Sequence, residues 1–144
     1  MTTEVKPNPV IQAELFAVDE VLPSGNVYPR DVVLKAISEI KPHLAMNRVL
    51  GQFNPTGDDM SVKLTDAATL VKNLYFRDDV LMADLEILDT PRGEALKEYL
   101  RAGKQIQVVP RGMGEVDREE EDSVVRQYTI VTVDVLEVKE DEDE

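Results

Sequence analysis

The chain is short of several residue types that would point to a particular chemistry or location. It has 144 residues and contains no cysteine, no tryptophan and a single histidine, His43. The absence of cysteine excludes disulfides and thiolate metal sites. Apolar runs stay far below the roughly 18 residues that cross a bilayer, and no basic leader followed by an apolar stretch opens the chain. We therefore expect a cytosolic origin and no contact with a membrane.

Basic residues are also scarce. Lys and Arg number 16 against 29 Asp and Glu, which gives a formal net charge of -13. Because binding to a polyanion depends on basic side chains that displace its counterions, this balance predicts no contact with DNA or RNA. Much of the acidic excess lies in two stretches, 115–122 and 139–144. Each stretch is interpreted either as a solvated loop or tail or as a docking strip for a basic partner.

The remaining composition is that of one folded domain. Hydrophobic residues make up 42% of the chain and charged residues 31%, which is typical of a globular protein. The length suits a single core. The sequence divides into an extended N-terminal arm over 1–9, a single domain over 10–138 that includes the acidic loop 115–122, and an acidic tail over 139–144.

Hydrophobic periodicity predicts strands with two intervening helices. The first helix is predicted to begin at Pro29 and end at Pro42, and the second to follow an N-cap at Thr90 and end at Gly103. The predicted strands are Val10–Leu22, Arg48–Phe53, Ala67–Phe76, Val80–Leu88, Gln105–Val109 and Val124–Val138. The last strand is apolar on both faces, which places it centrally in the sheet. This order predicts an α+β fold in which an antiparallel sheet curls into a barrel-like core with two main helices.

Five stretches of the sequence carry a resemblance to a known family. They are "SGNVYPRDVVLKAI", "RVLGQFNP", "LYFRDDVLMADLEILDTPRGEALKEYLRAG", "VVPRGMGEV" and "YTIVTVDVLEV", in this order. With them the chain resembles the prohead core proteases of tailed bacteriophages, whose fold is related to that of the herpesvirus assemblins. The resemblance covers roughly residues 14 to 138. It implies an assemblin-like fold and a role in the phage head.

Proteases of this family use a serine as nucleophile and a histidine as base. In this sequence the position of the histidine falls on Asn54 or Pro55, and the family's pair of serines falls on Val109 and Pro110. None of these side chains attacks a carbonyl or accepts a proton near neutral pH. The resemblance therefore implies a vestigial protease site that contains no catalytic residue. Its members are Asn54, Pro55, Val109, Pro110, Arg111, Gly112, Gly114 and Asp134, the last at the position of the family's acidic strand residue.

The segment Arg111–Gly112–Met113–Gly114 is predicted to form a tight turn, and its counterpart in the family helps to build the oxyanion hole. His43 is interpreted as a surface or helix-end residue that has no serine partner for a replacement catalytic set; the candidate serines are Ser24, Ser38, Ser61 and Ser123. The aspartates of the turns lack the spacing of a calcium loop and are interpreted as solvated; they are Asp58, Asp59, Asp66, Asp78 and Asp79. We therefore expect no metal and no cofactor.

These observations favour a non-enzymatic structural protein of the phage head, either a decoration or cement subunit or a head-assembly component. The expected partners are the major capsid protein or other head proteins, with a homo-oligomer left open, and the expected place is the outer surface of the virion. Residues predicted to contact a partner are Arg111, Met113, Glu119, Glu120, Glu121 and Asp122. Two alternatives stay open: an active maturation protease with a displaced catalytic set, and a regulator of such a protease.

Overall fold

The structure, a computed structural model, describes residues 8–55, 63–117 and 123–138. Residues 1–7 of the predicted arm over 1–9 and the whole tail over 139–144 therefore lie outside the described residues. The elements are β1 (Val10–Ala17), β2 (Asn26–Val27), α1 (Arg30–Ala45), β3 (Leu50–Gly51), a 3-10 helix (Leu64–Asp66), β4 (Thr69–Arg77), β5 (Val80–Ile87), α2 (Pro91–Arg101), β6 (Ile106–Asp117) and β7 (Ser123–Glu137). This order of strands and two α-helices confirms the predicted α+β class.

The strands form two sheets that join into a half-barrel. One sheet has the order β1-β5-β4-β3 and the other the order β2-β7-β6. They meet where the segment after β3 runs beside β7: the Asn54 amide donates to the Val135 carbonyl at 2.8 Å, and the Val135 amide donates to the Gln52 carbonyl at 2.9 Å. The predicted curled antiparallel sheet is thus confirmed, with the short β2 added parallel to β7. β7 lies between β2 and β6, which confirms its predicted central position.

The core lies between the sheets and the two helices. The buried face of α1 consists of Val33, Ala36, Ile40 and Leu44. In β5 the alternating residues Leu81, Ala83, Leu85 and Ile87 are buried, as a strand with one core face requires. α2 begins as predicted, since the Thr90 side chain accepts a hydrogen bond from the Gly93 amide at 3.0 Å and Pro91 occupies the first turn. No helix among the described residues is long and apolar enough to cross a membrane.

Three predicted boundaries outside β6 are wrong. The first strand ends at Ala17 rather than Leu22, and beyond it Val21 meets Val27 only in an isolated bridge. The strand predicted for Arg48–Phe53 is reduced to Leu50–Gly51. Helix α1 continues through Pro42 to Ala45. A proline removes one amide donor, but the Pro42 carbonyl still accepts from the Met46 amide at 3.2 Å, so the last turn closes.

The fourth boundary error concerns β6 and matters most for the site. The strand was expected to end at Val109, but it runs from Ile106 to Asp117 and pairs with β7 along that length. A bulge lies between Arg111 and Gly112, and a second lies between Glu115 and Val116. Strand β6 and the facing part of β7 therefore extend as a ribbon toward the acidic loop, of which residues 118–122 lie outside the described residues.

Candidate functional site: a filled corner on β6

The predicted glycine turn does not form. Arg111, Gly112, Met113 and Gly114 continue β6 and face Thr132, Ile130, Thr129 and Tyr128 of β7. Neither Gly112 nor Gly114 has a positive φ, in contrast to Gly25 and Gly103. The prediction that two glycines permit a tight turn here is therefore wrong, and their presence needs another physical reason.

The reason is the close approach of β7. A Cβ atom on Gly112 would lie 2.4 Å from the Thr129 carbonyl oxygen and 3.1 Å from Cε1 of Tyr128. A Cβ atom on Gly114 would lie 2.9 Å from the Gln127 carbonyl oxygen and 3.5 Å from Cδ1 of Tyr128. Strand glycines often mark such bulges and close contacts. Both glycines therefore make room for the neighbouring backbone and for the ring of Tyr128.

Tyr128 connects this glycine pair to an aromatic cluster under the strand. Its ring centroid lies 5.1 Å from that of Tyr28 and 6.4 Å from that of Phe16, both in edge-to-face geometry. Burial of the hydroxyl raises the pKa of Tyr128 well above its ordinary value, and the nearby Tyr28 raises it further. The part of β6 around Gly112 and Gly114 thus packs against an aromatic cluster of Tyr128, Tyr28 and Phe16.

The side chain of Arg111 points toward Asp134 on β7. Its Nε donates to Asp134 Oδ2 at 2.8 Å and its Nη2 donates to Asp134 Oδ1 at 2.9 Å. The same Nη2 donates to Gln52 Oε1 at 2.8 Å, and the Gln52 amide donates to Asp134 Oδ1 at 3.0 Å. The side chains of Arg111 and Asp134 are 13% and 5% exposed. A bidentate, largely buried ion pair therefore engages both oxygens of the Asp134 carboxylate.

Asn54, one of the two residues predicted to occupy the family's histidine position, forms hydrogen bonds with the backbone of β7. Its φ of 52° lies in the left-handed region, which Asn tolerates better than most residues. Its Oδ1 accepts a hydrogen bond from the Glu137 amide at 3.0 Å, while its own amide bonds to Val135. Pro55 follows it directly. The amide side chain of Asn54 is thus committed to joining this segment to the end of β7.

Val109 and Pro110, which we predicted to occupy the family's serine positions, lie inside β6. Val109 faces Asp134 and Pro110 faces Val133 across the β6–β7 pair. Proline has no amide hydrogen, so it is confined to edge strands or bulges. β6 fits this rule because β7 is its one neighbour in the sheet order of the described strands. The structure therefore brings Val109, Pro110, Arg111 and Asp134 together, with Asn54 beside the same end of β7.

The other candidate residues are scattered. His43 is exposed near the end of α1, and Ser38 is exposed on the same helix. Ser24 and Ser123 lie near β2, at the opposite end of β7 from Asn54. Within the three described ranges no hydrogen bond links His43 to a serine hydroxyl, and Ser61 lies outside them.

The predicted partner contacts and the aspartate turns have mixed outcomes. The guanidinium of Arg111 is engaged within the chain and its side chain is 13% exposed, whereas Met113 is 54% exposed. Glu119, Glu120, Glu121 and Asp122 lie outside the described residues, as do Asp58 and Asp59. Asp79 forms an ion pair with Arg30 at 2.6 Å. No group of three or more His, Asp or Glu residues suitable for a metal occurs in the part of the chain that is described.

Sequence reasoning missed two residues of this site, Gln52 and Tyr128. Gln52 stands two residues before Asn54 in the quoted motif, but no pattern signals that its side chain reaches across to Arg111. Tyr128 lies within the predicted strand Val124–Val138, whereas Gly112 and Gly114 belong to the predicted turn. Once β6 is extended by register, the opposition of Gly112 and Gly114 to Tyr128 follows.

Comparison with known proteins identifies the family and the fold of the chain. The family model described as "Prohead core protein serine protease" matches residues 3–139. The chain belongs to this family. The chain is similar to the structure of the bacteriophage T4 capsid assembly protease, with a TM-score of 0.82. The two sequences are 20% identical, and the match covers 91% of this chain and 82% of that chain. No curated protein sequence shows significant similarity to the present chain. The predicted family and fold are thereby confirmed.

Proposed function

We propose that this member of the prohead protease family is a non-enzymatic component of the phage head, a binding module built on a protease fold. The observation that carries the proposal is the ion pair of Arg111 with Asp134, which fills the corner where the family places its catalytic groups. A fold is compatible with many functions, so the argument rests on the chemistry of this corner.

Peptide hydrolysis by this family's chemistry requires an attacking hydroxyl and a base that removes its proton. The aligned positions hold Val109 and Pro110 on one side and Asn54 and Pro55 on the other. Arg111 cannot serve as the base, because a guanidinium stays protonated in proteins. Asp134 accepts three hydrogen bonds from Arg111 and the Gln52 amide, so its carboxylate is already committed to holding strands together.

We further propose that the protein is attached to the outer surface of the capsid, where it contacts the major capsid protein or another head protein. Family membership carries an association with the prohead. The formal charge of -13 is unfavourable beside condensed DNA, because like charges repel at short range. The outer shell imposes no such electrostatic cost.

The first test is an incubation of the purified chain with capsid and scaffold proteins, with a catalytically complete prohead protease as positive control. We expect the control to cut these proteins and this chain to leave them intact. Cleavage that is lost in Ser24→Ala, Ser61→Ala or Ser123→Ala, or in His43→Ala, would show a displaced catalytic set and would reverse the proposal.

The second test is mass spectrometry of purified mature heads. We expect the protein to be present in many copies. Its absence from finished heads, combined with co-purification with a complete protease, would identify a regulator of that enzyme and would contradict the structural role.

A further inference from the structure

The outer part of β6 has one edge that no described strand covers. Between Gly112 and Asp117 the strand pairs with β7 along its other edge, and the sheet order of the described strands ends at β6. An exposed strand edge presents unpaired amide and carbonyl groups and is a template for another strand. We propose that this edge binds an extended, basic segment of a head protein as an added β-strand, an inference that rests on the proposed structural role.

The side chains along this edge support an extended partner. Met113 is 54% exposed and Val116 is 37% exposed, as is Val124 on the facing strand. Because side chains alternate along a strand, Met113 and Glu115 share one face of β6 and Val116 lies on the other. An added strand that alternates apolar and basic residues would place an apolar side chain near Met113 and a cation near Glu115.

Charge selects a basic partner over a second copy of the chain. The stretch 115–122 contains six acidic residues and one arginine, and the whole chain has a net charge of -13. Two copies paired through this edge would bring the acidic residues at positions 115 and 117 of both chains into one ladder, and like charges on adjacent strands are destabilising. A segment rich in Lys or Arg meets the opposite condition and would be drawn to the edge electrostatically.

The edge also has a defined inner limit. Pro110 has no amide hydrogen to donate to an added strand, whereas β6 itself is continuous over 112–117, because the extra residue at each register shift, Val131 or Arg126, lies on β7. A continuous added strand therefore fits beside 112–117 and cannot extend along the whole of β6. So short a ladder makes the contact dependent on its ionic pairs, and hence on salt.

The direct test uses a fluorescently labelled heptapeptide that alternates lysine with valine, titrated into the full chain and followed by fluorescence polarisation. The matched controls are the peptide with glutamate in place of lysine and the lysine peptide N-methylated at alternate residues. We expect the lysine peptide to bind, both controls to lose at least about tenfold in affinity, and salt to weaken the binding. Amide hydrogen exchange should slow over 112–117 when the lysine peptide is bound.

Variants locate the contact on the protein. Met113→Lys and Val116→Lys should each weaken peptide binding about tenfold or more, because each removes an apolar contact and adds a repelling cation. Leu34→Lys is the matched control, since Leu34 is 48% exposed on α1, away from β6. It should leave the affinity within about twofold. The N-methylated peptide needs no change in the protein and so tests the edge even if a variant fails to fold.

Three results would overturn the proposal: no binding of the lysine peptide, equal binding of the N-methylated peptide, or equal effects of Leu34→Lys and Met113→Lys. A dimer of the chain that Met113→Lys disrupts would make a second copy the occupant and would also overturn it. A double variant Met113→Lys/Val116→Lys that still attaches to heads would contradict this inference alone. Cleavage of head proteins by the chain would instead contradict the proposed function.

Discussion

The two parts of β6 differ in how their polar groups are used. Up to Arg111 the strand lies in a corner where a largely buried ion pair, the Gln52 side chain and the Asn54 amide tie β6, β7 and the segment after β3 together. Beyond Gly112 the same strand is exposed, with Met113 and Glu115 facing solvent. The corner around Arg111 is thus filled and fixed, while no described strand covers the neighbouring edge of β6.

The sharpest way to break this contrast is to remove the cation from the filled corner. Arg111→Met leaves the Asp134 carboxylate buried without its partner, and breaking a buried pair in this way costs about 3 to 5 kcal/mol of the free energy of unfolding. Urea unfolding followed by circular dichroism measures the loss. Arg77→Met is the matched control, because the Arg77–Glu14 pair is 54% and 66% exposed, and an exposed pair contributes about 0 to 1 kcal/mol.

The double variant Arg111→Met/Asp134→Leu separates charge burial from packing. It should destabilise the chain less than Arg111→Met alone, because no unpaired charge remains inside. A single variant that costs less than about 1 kcal/mol would mean that the corner is hydrated and open, and the contrast between the two parts of β6 would fail.

The next effect comes from the junction between the two parts. Gly112→Ala places a Cβ against the Thr129 carbonyl, and such overpacking costs about 1 to 3 kcal/mol. Gly114→Ala should cost less, since its nearest contact would be 2.9 Å rather than 2.4 Å. Thermal and urea unfolding of the two variants give the order. The reverse order would contradict the register assigned to the ribbon.

Because of Tyr128 in the aromatic cluster, the free energy of unfolding is expected to fall as the pH rises into the alkaline range. Because burial raises the pKa of Tyr128 in the folded chain, stability is fully present below the ordinary tyrosine pKa of about 10 and falls above it. There the unfolded chain releases this proton while the folded chain retains it, so Tyr128 contributes a slope of at most about 1.4 kcal/mol per pH unit. Tyr128→Phe should flatten the decline between pH 10 and 11 and match the wild type in slope at pH 8. Equal slopes at alkaline pH would place the hydroxyl in water.

The smallest effect belongs to the open edge. Met113→Ser should change the free energy of unfolding by no more than about 0.5 kcal/mol, because the side chain is 54% exposed and contributes little to the core. Chemical denaturation beside the Arg111 variants measures both on one scale. A cost near that of Arg111→Met would show that Met113 is packed rather than available to a partner.

The sequence predicts the fold class and most elements because their signals are local. Thr90 and Pro91 specify the start of α2, and the alternation in 80–87 specifies β5. The signals that fail are those in which distant residues decide. Leu44, buried against the core, stabilises α1 beyond Pro42, and the pairing with β7 turns an apparent glycine turn into a strand.

The site shows the same division. The quoted motifs assign Asn54, Pro110 and Asp134 to one site. The structure brings together the segments that carry them, which are the segment after β3, β6 and β7. The motifs cannot predict that Arg111 reaches Asp134, since that depends on the register of β6 against β7, in which Val109 faces Asp134 and Arg111 faces Thr132. Nor can they assign Asn54 a left-handed backbone and a bond to the end of β7. Conformation at a bulge or a turn depends on the facing strand, which a linear pattern does not contain.

The bond from Glu137 to Asn54 has an evolutionary consequence. A histidine at position 54 would have to adopt the left-handed backbone and would remove the amide oxygen that now accepts from β7. A serine at position 110 would still face a carboxylate engaged by Arg111. A single substitution at either position would therefore lack a catalytic partner, and at position 54 it would also lose a hydrogen bond to β7. A working hydroxyl and imidazole pair at this corner would require several substitutions together, because the groups now present hold the strands in place.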